Sequence, residues 1–305
     1  MLLPMKVGIT VGTNYAGVPT PDTFFHFIDR VEELGLDSLW VGDHIAWTNP
    51  TLEALTVLAC YVARTKRLTV GTSVLIMPLR QPVVLAKMLG TMGYLSNGRV
   101  VSGMGVGGEN TKEFEACGVP HNRRGQLMDE ALEIMTRLWN EDHVSFHGKL
   151  FNFDDVSLDP KPPKLPLWLG GRSEAAHRRA AKFGDGWIDV FSSPRHFGEG
   201  KKAIEALGPK AGFEWVQFEY MCLARSREEG KAKATEYLNR TYNMDTGEKV
   251  NSFASFGTAE QIAERIQQFE QLGATHLVIN PTCTPEEKHE HLEAIASELL
   301  PLIRG

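Results

Sequence analysis

The segment Gly42-Asp43-His44-Ile45-Ala46-Trp47 carries residue types that transfer protons and hold ring systems, and it follows a predicted strand. The imidazole of His44 is the usual group for proton transfer near neutral pH. Asp43 places an acid beside it, and Trp47 offers a flat indole face on which a ring system can stack. The alternative is that His44 is a hydrogen-bonded core residue and that Asp43 only caps the next helix. The residues leave both interpretations open.

A second candidate segment is rich in glycine and runs from Gly103 to Asn110. Gly105 and Gly107 let the backbone approach a ligand closely. This is no dinucleotide-binding fingerprint, because no third spaced glycine opens a helix with an acid about 20 residues further on. Glu109 is a candidate acid or base, and Glu113 competes with it for that role. The alternative is that either carboxylate is simply solvated.

The third candidate segment is Gly170, Gly171, Arg172 and Ser173, which follows a predicted strand and opens a helix. Free backbone N–H groups, a positive helix end, a guanidinium and a hydroxyl together predict an anion site, most naturally for a phosphate. The alternative is that Ser173 is an ordinary N-cap and that the Arg172 side chain lies in solvent.

Two other residue types predict no chemistry. His143 and His147 are four residues apart, but no helical pattern surrounds them and no third ligand follows at fixed spacing, so we predict no metal site. The four cysteines are scattered without a CxxC pair, and we expect them to be reduced and mostly buried. They are Cys60, Cys117, Cys222 and Cys283.

The elements that must position these segments recur at a regular step. Runs rich in β-branched residues start near Lys6, Asp37, Leu68 and Arg99, and each step is 31 residues. One strand, one helix and two short loops fit this step, which predicts parallel strands. Four further strands are predicted over 167–169, 186–191, 215–223 and 275–280.

Eight strands, each followed by at least one helix, favour an α/β fold of the closed (β/α)8 TIM-barrel type over an open doubly wound sheet. The regular step is interrupted by a long polar segment over 105–124 and a hairpin-like segment over 143–163. A polar loop over 241–257 and a second helix follow the seventh strand. We therefore predict a single domain over residues 1–305, with insertions after strands four and seven.

Composition excludes several classes of protein. The formal net charge is −6, so the chain lacks the domain-wide basic footprint of a nucleic-acid-binding protein. No apolar run approaches the roughly 18–20 residues of a membrane helix, and the first residues lack the pattern of a secretory signal. We expect a cytoplasmic protein with no nucleic-acid or membrane partner.

Taken in order, these segments resemble the bacterial luciferase-like family of flavin- and deazaflavin-dependent oxidoreductases. The resemblance spans nearly the whole chain and implies a (β/α)8 barrel with its cofactor in the C-terminal mouth. The Asp43-His44 pair resembles the branch that uses the deazaflavin coenzyme F-420, with FMN as the alternative cofactor. The motifs that carry it are GLDSLWVGDH, LTVGTSVLIMPLRQPVVLAKMLGTMGYLSNGRVVSGMGVGG, EFEACGVPHNRRGQLMDEALEIMTRLW, PLWLGGRSEAAHRRAAKFGDGW and FGTAEQIAERIQQFEQLGATHLVI.

The resemblance also implies roles for individual residues. His44 is expected to handle the proton, with Trp47 near the reactive face of the ring, and Glu109 is the expected catalytic acid. A cis peptide bond is expected between Ser73 and Val74, although the residues alone suggest only a strand end there. The cofactor-binding residues implied are Asp43, Trp47, Ser73, Val74, Gly105, Gly107, Gly170, Gly171, Arg172 and Ser173.

The function implied is hydride transfer between coenzyme F-420 and a small organic substrate, by an enzyme that the family suggests is a homodimer. An FMN-dependent monooxygenase is the second hypothesis. A third is a relative that binds a flavin and has lost turnover, against which the presence of His44, Glu109 and Arg172 argues.

Overall fold

The computed structural model describes residues 4–11 and 15–304, in which strands and helices alternate. The strands in this part of the chain are β1 (Lys6–Val11), β2 (Ser38–Val41), β3 (Thr69–Thr72), β4 (Leu75–Ile76), β5 (Val100–Gly105), β6 (Val144–His147), β7 (Asn152–Val156), β8 (Leu167–Gly170), β9 (Gly186–Val190), β10 (Glu214–Leu223), β11 (Ala254–Gly257) and β12 (His276–Pro281). The helices are α1 (Pro21–Glu33), α2 (Ala54–Arg64), α3 (Pro82–Leu95), α4 (Thr111–Ala116), α5 (Arg124–Asn140), α6 (Glu174–Phe183), α7 (Pro194–Glu205), α8 (Arg227–Tyr242), α9 (Val250–Phe253), α10 (Ala259–Gln271), α11 (Lys288–Ala294) and α12 (Leu300–Arg304).

Eight parallel strands close into a barrel within the described residues. Their order is β1, β2, β3, β5, β8, β9, β10 and β12, and β12 pairs again with β1. The predicted (β/α)8 fold is confirmed, and its closure excludes the open doubly wound sheet. Because all strands run the same way, their C-terminal ends meet at one mouth, where the connecting loops build the site.

Local sequence signals set the helix boundaries. The Thr20 side chain accepts a hydrogen bond from the Thr23 N–H at 3.3 Å and caps α1, and Pro21 occupies the first helical position. Gly35, with φ of +79°, lies just after the helix, where a left-handed backbone favours glycine. The face of α1 that packs on the barrel carries Phe24, Phe27, Ile28 and Val31.

Two stacked indoles fill the barrel interior. Trp40 and Trp168 are both buried, and their ring centroids lie 5.0 Å apart. Gly71 makes room for them, because a Cβ at that position would lie 2.5 Å from Cζ3 of Trp40. Large side chains inside the barrel thus require glycine on neighbouring strands, and this packing gives a rigid floor below the mouth.

The third predicted strand is broken in the structure. It divides into β3 and β4, and the peptide bond between Ser73 and Val74 is cis. Gly71 lies opposite Val101 whereas Leu75 lies opposite Met104, so the pairing with β5 slips by one residue. Such an extra residue bends a strand, and here it lies at the mouth.

The insertions occur after the fourth and seventh barrel strands, as predicted. The first contains α4, α5 and an antiparallel hairpin of β6 and β7. The second contains α8, α9, β11 and α10.

The prediction of a polar loop over 241–257 is wrong for much of its length. The helix α8 continues to Tyr242, α9 covers Val250–Phe253, and β11 then pairs with β10 in parallel. β10 extends past the end of β9, so its last residues have free backbone groups that β11 satisfies. The apolar residues of β11 are too few to show a period in the sequence.

The last predicted helix consists of α11, a π-helical turn over Ile295–Leu299 and α12. Within the described ranges, no helix combines the length and the apolar character needed to cross a bilayer.

Candidate active site

A cavity of about 290 Å³ opens at the C-terminal mouth of the barrel. Its walls come from the ends of β1, β2, β3, β4, β5, β8, β9, β10 and β12 and from the last residue of α8. Ser173 alone among the predicted site residues is absent from its lining. The predicted site residues that line it are Asp43, His44, Trp47, Ser73, Val74, Gly105, Gly107, Glu109, Gly170, Gly171 and Arg172.

His44 is held from behind by a buried carboxylate. Its Nδ1 lies 3.3 Å from Oε2 of Glu113, which is 1% exposed. The other carboxylate oxygen accepts hydrogen bonds from the backbone N–H groups of Ile45 and Ala46. Burial raises the pKa of Glu113, but the hydrogen bonds from His44 and from these N–H groups outweigh it, so the pKa is lowered. Glu113 is therefore an ionised carboxylate near neutral pH.

This contact fixes the hydrogen positions on the imidazole. An ionised carboxylate only accepts hydrogen bonds, so Nδ1 of His44 must carry the hydrogen. Nε2 is then the ring nitrogen that remains for a ligand in the cavity. An acid that orients an imidazole in this way is a common arrangement for proton transfer.

The Asp43 carboxylate takes no part in the contact between His44 and Glu113. Its carboxylate accepts two hydrogen bonds from the Arg80 guanidinium, at 2.6 and 2.9 Å, and one from the Ile76 N–H at 2.8 Å. Arg80 also bonds Glu53 at 2.8 Å. The Asp43 side chain thus connects the end of β2 to the turn that follows β4, and its contribution to the cavity is to position that wall.

Trp47 stacks on His44 and connects it to the far side of the mouth. The two ring centroids lie 3.9 Å apart with an interplanar angle of 23°. The indole N–H donates to the carbonyl oxygen of Thr241 at 3.0 Å, and the Asn49 amide donates to the same oxygen at 2.7 Å. These bonds hold the loop after β2 against the end of α8.

Val74 and the surrounding glycines form a compact half of the cavity. A Cβ at Gly105 would lie 2.8 Å from Cγ2 of Val74, and one at Gly170 would lie 3.1 Å from Cγ1. Val74 therefore fills the space between the ends of β5 and β8. In contrast, a Cβ at Gly42 would meet no described atom within 4 Å. The hydroxyl of Ser73 is buried and has no hydrogen-bond partner within the described protein.

In the turn after β8, two of the groups that predict an anion site already make hydrogen bonds within the protein. Ser173 caps α6 by accepting from the Ala176 N–H at 3.2 Å, so the ordinary N-cap interpretation holds for its oxygen. The hydroxyl hydrogen and the first N–H groups of α6 stay available to an anion. Arg172 donates to the carbonyl of Phe191 at 2.7 Å, which holds the guanidinium over the end of β9.

The two competing glutamates occupy different environments. Glu109 is exposed and lines the cavity, whereas Glu113 is buried behind His44. The negative charge of Glu109 contributes to the raised pKa of Tyr220 and of Tyr242, after burial as the main cause for both, so Glu109 lies near these phenols. Only Glu109 is placed to meet a ligand directly, and only Glu113 is placed to act through His44.

Sequence reasoning missed the residues that complete the opposite half of the cavity. Phe191 follows the sixth barrel strand, and its position after a strand end was the available signal. Tyr220 lies within β10, and Tyr242 ends α8, for which the sequence gives no signal. Arg80, the partner of Asp43, was not among the predicted site residues, because its position 37 residues further along gives no local signal of that contact.

The histidines of the hairpin are engaged elsewhere. His143 Nδ1 lies 2.6 Å from Asp155, and His147 Nε2 lies 3.0 Å from Asp154, with all four side chains exposed. Over residues 4–11 and 15–304, no group of three or more His, Cys, Asp or Glu residues is arranged to hold a metal ion.

Comparisons with known proteins bear on this site. A family model described as luciferase-like monooxygenase matches residues 2–245. A 5,10-methylenetetrahydromethanopterin reductase from Archaeoglobus fulgidus is 26% identical over 322 aligned positions, which cover 92% of this chain and 95% of that protein. An F-420-dependent glucose-6-phosphate dehydrogenase from Amycolatopsis mediterranei is 33% identical over 193 positions, covering 60% of this chain and 57% of that protein.

Solved structures show the same fold. An F-420-dependent secondary alcohol dehydrogenase in complex with an F-420–acetone adduct superposes with a TM-score of 0.84 at 19% identity, covering 99% of this chain and 100% of that one. A monooxygenase from Streptomyces bottropensis superposes with a TM-score of 0.83 at 21% identity, covering 97% and 99%.

Proposed function

The chain belongs to the luciferase-like monooxygenase family and is an oxidoreductase, and we propose that its cofactor is the deazaflavin coenzyme F-420. The observation that carries this proposal is the Glu113–His44 pair, which presents an oriented imidazole to the cavity beside the stacked indole of Trp47. Hydride transfer to or from a carbon–oxygen bond needs one proton donor or acceptor and no activation of O2. The pair supplies that single group.

The cavity fits a planar ring system. The absence of a side chain at Gly42 leaves open space on one wall, and Val74 gives an apolar support between Gly105 and Gly170. The buried hydroxyl of Ser73 lacks a partner within the described residues and can bond a polar edge of a ring. We place the ring over Val74, and the phosphate at the turn of Gly170, Gly171, Arg172 and Ser173.

When bound, coenzyme F-420 supplies or accepts a hydride at its C5 position. The protein binds and orients the reactants, and His44 gives or takes the proton at Nε2. Glu113 stabilises the imidazolium form because its carboxylate is ionised and lies against Nδ1. Trp47 limits how closely water approaches the imidazole, since its indole covers one face of the ring.

The names of two relatives support the deazaflavin over FMN. The Amycolatopsis mediterranei dehydrogenase is F-420-dependent, and another F-420-dependent glucose-6-phosphate dehydrogenase, from Kineococcus radiotolerans, is 25% identical over 99% of this chain. The proposal is therefore an F-420-dependent reductase or dehydrogenase acting on a small organic substrate. An FMN-dependent monooxygenase and a relative without turnover are the outcomes that would replace it.

The cofactor is tested by titrating the purified protein with F-420 and, in parallel, with FMN, and by following the fluorescence of each. We expect F-420 to bind at least tenfold more tightly than FMN. Tight binding of FMN without binding of F-420 would contradict the proposal. Bound F-420 that no substrate panel oxidises or reduces would favour the relative without turnover.

His44→Ala tests the proton-handling role. We expect turnover to fall by about 100-fold or more, the usual contribution of a positioned acid or base, with the affinity for F-420 changed less than threefold. His147→Ala, in the exposed hairpin, is the matched control and should leave both quantities unchanged. Unchanged turnover in His44→Ala would refute the assigned role.

A further inference from the structure

One half of the cavity is a continuous wall of aromatic rings, which we call the aromatic wall: Trp47, Phe191, Phe218, Tyr220 and Tyr242. Trp47 contacts Tyr242 edge to face with centroids 6.1 Å apart. Tyr242 contacts Phe191 at 5.6 Å, and Phe191 contacts Tyr220 at 4.8 Å. Since His44 stacks on Trp47, the wall begins at the proton-handling group and runs across β9 and β10.

Strand order places the β10 part of the aromatic wall opposite the proposed cofactor support. Tyr220 lies on β10, four strands around the barrel from β3, which leads into Val74. Phe191 has φ of +53°, a left-handed backbone that a bulky side chain rarely adopts. Its ring contacts the side chains of Tyr220, Tyr242 and Phe253. Backbone strain of this kind persists where the surrounding structure requires it, often at binding sites.

The charges around the cavity leave no cation for a substrate. Among its described lining residues, Arg172 is the one with a permanent positive charge, and it lies at the proposed phosphate turn. The charge of Asp43 is neutralised by Arg80. Glu109 adds an exposed negative charge near the tyrosines. An anionic substrate would meet repulsion here without compensation.

The aromatic wall contains one polar feature. The hydroxyl oxygens of Tyr220 and Tyr242 lie 2.7 Å apart, so one hydroxyl donates to the other. Each hydroxyl carries one hydrogen, and the bond between them uses one of the two. The other hydrogen remains free to bond a ligand oxygen. Tyr220 is 2% exposed and Tyr242 is half-buried, so Tyr242 is the hydroxyl that is better placed to offer it.

We infer that the substrate is an uncharged, mostly apolar molecule with a carbonyl or alcohol oxygen, and that the aromatic wall binds its hydrocarbon part. This inference rests on the proposed function. In the direction of reduction, the carbonyl carbon gains the hydride, its oxygen gains the proton from Nε2 of His44, and the cofactor is left oxidised. Oxidation of the alcohol runs the same transfers in reverse. A phosphorylated sugar does not fit this half of the cavity.

Two ligands of similar size that differ in charge test the inference. Acetophenone and benzoate are titrated by calorimetry into protein saturated with F-420, whose binding is verified first by fluorescence. We expect the Kd of acetophenone to be at least tenfold lower than that of benzoate. Equal or tighter binding of benzoate would overturn the inference. If F-420 does not bind, the proposed function fails, and the same titrations on the FMN-loaded protein still test the charge preference.

Tyr242→Phe tests the hydroxyl of the aromatic wall and removes one oxygen atom. We expect the affinity for acetophenone to fall about fivefold and the affinity for F-420 to stay unchanged. The melting temperature should fall, because the buried Tyr220 hydroxyl loses its partner. Tyr94→Phe, at an exposed position of α3, is the matched control. An unchanged affinity for acetophenone in Tyr242→Phe would show that this hydroxyl does not bind the substrate. The charge preference would then be decided by the acetophenone and benzoate titrations alone.

Discussion

At the scale of single residues, the position of Glu113 explains why a buried carboxylate is tolerated next to the cavity. The carboxylate accepts hydrogen bonds from His44, Ile45 and Ala46, so the cost of burial is offset by bonds to an ionised group. The side chain thus connects α4 to the loop after β2. It contributes to stability as well as to the orientation of the imidazole.

Glu113→Gln is expected to lower both stability and turnover. The folded pKa of Glu113 is lowered, so its stabilisation is present above the unfolded pKa of about 4.5 and is lost as pH falls through the folded pKa. We expect the free energy of unfolding at pH 7 to fall by about 1–3 kcal/mol, with a smaller difference in acid. Urea denaturation at pH 7 and pH 4 measures this, and Glu115→Gln on the exposed side of α4 is the control. A stability difference between the wild type and Glu113→Gln that is larger at pH 4 than at pH 7 would contradict the predicted pH dependence.

The pKa of Asp189 is shifted in the opposite direction to that of Glu113, so its effect on stability changes with pH in the opposite way. It is 1% exposed, and burial raises its pKa to about 6, partly countered by the Ser192 hydroxyl and the charge of Arg172. Because the folded pKa lies above the unfolded value, the ionised group costs stability at pH above about 6, and this cost disappears as pH falls toward 4.

Asp189→Asn is therefore expected to stabilise the protein at pH 8, by up to about 3 kcal/mol. The gain should shrink between pH 6 and pH 4, since the wild-type carboxyl is then neutral in the fold as well. Melting temperatures of both proteins across this range give the measurement. A variant that is less stable than the wild type at pH 8 would show that the carboxylate is stabilised in a way that burial and its neighbours do not explain.

At the scale of elements, the turn between β8 and α6 combines a helix cap with the proposed phosphate site. Ser173→Ala removes the cap and is expected to lower the free energy of unfolding by about 1 kcal/mol. Ser173→Asp keeps a capping oxygen but adds a negative charge at the same helix end.

The pair of variants separates the two roles of Ser173. We expect Ser173→Asp to keep the wild-type melting temperature and to weaken F-420 binding at least tenfold, because two anions then compete for one site. Ser173→Ala should lower the free energy of unfolding, and it should weaken F-420 binding less than Ser173→Asp does. Wild-type cofactor affinity in Ser173→Asp would place the phosphate elsewhere.

At the scale of the whole molecule, α3 carries an apolar stripe on its outer face. Val84, Met88 and Leu95 are 57%, 43% and 68% exposed, and their spacing places them on one side of the helix. Exposed apolar patches of this kind often mark a protein–protein interface. We propose that a second copy of this chain covers the stripe in a homodimer.

Met88→Glu tests this interface. Light scattering on a sizing column should give a dimer for the wild type and a shift towards monomer for the variant, because burying a carboxylate in an apolar interface is unfavourable. Leu207→Glu, which changes an exposed leucine outside α3, is the control. A monomeric wild type, or a dimer that Met88→Glu leaves intact, would contradict the proposed interface.

The sequence by itself determined the barrel and the ends of α1, because these depend on local signals. The 31-residue step reproduces the strand starts, and Thr20, Pro21 and Gly35 set the boundaries of α1. It also identified the segments after strands two, four and five that line the cavity, because parallel strands place their ends at one mouth. The segment after strand three came from the family resemblance.

Only the tertiary structure decided which side chains meet there. The contacts of His44 with Glu113 and of Asp43 with Arg80 join residues 69 and 37 positions apart in the chain, and no local pattern encodes such pairs. Tyr220 and Tyr242 become partners only because α8 returns to the end of β10. Proton handling thus depends on long-range packing, whereas the scaffold that carries it depends on short-range periodicity.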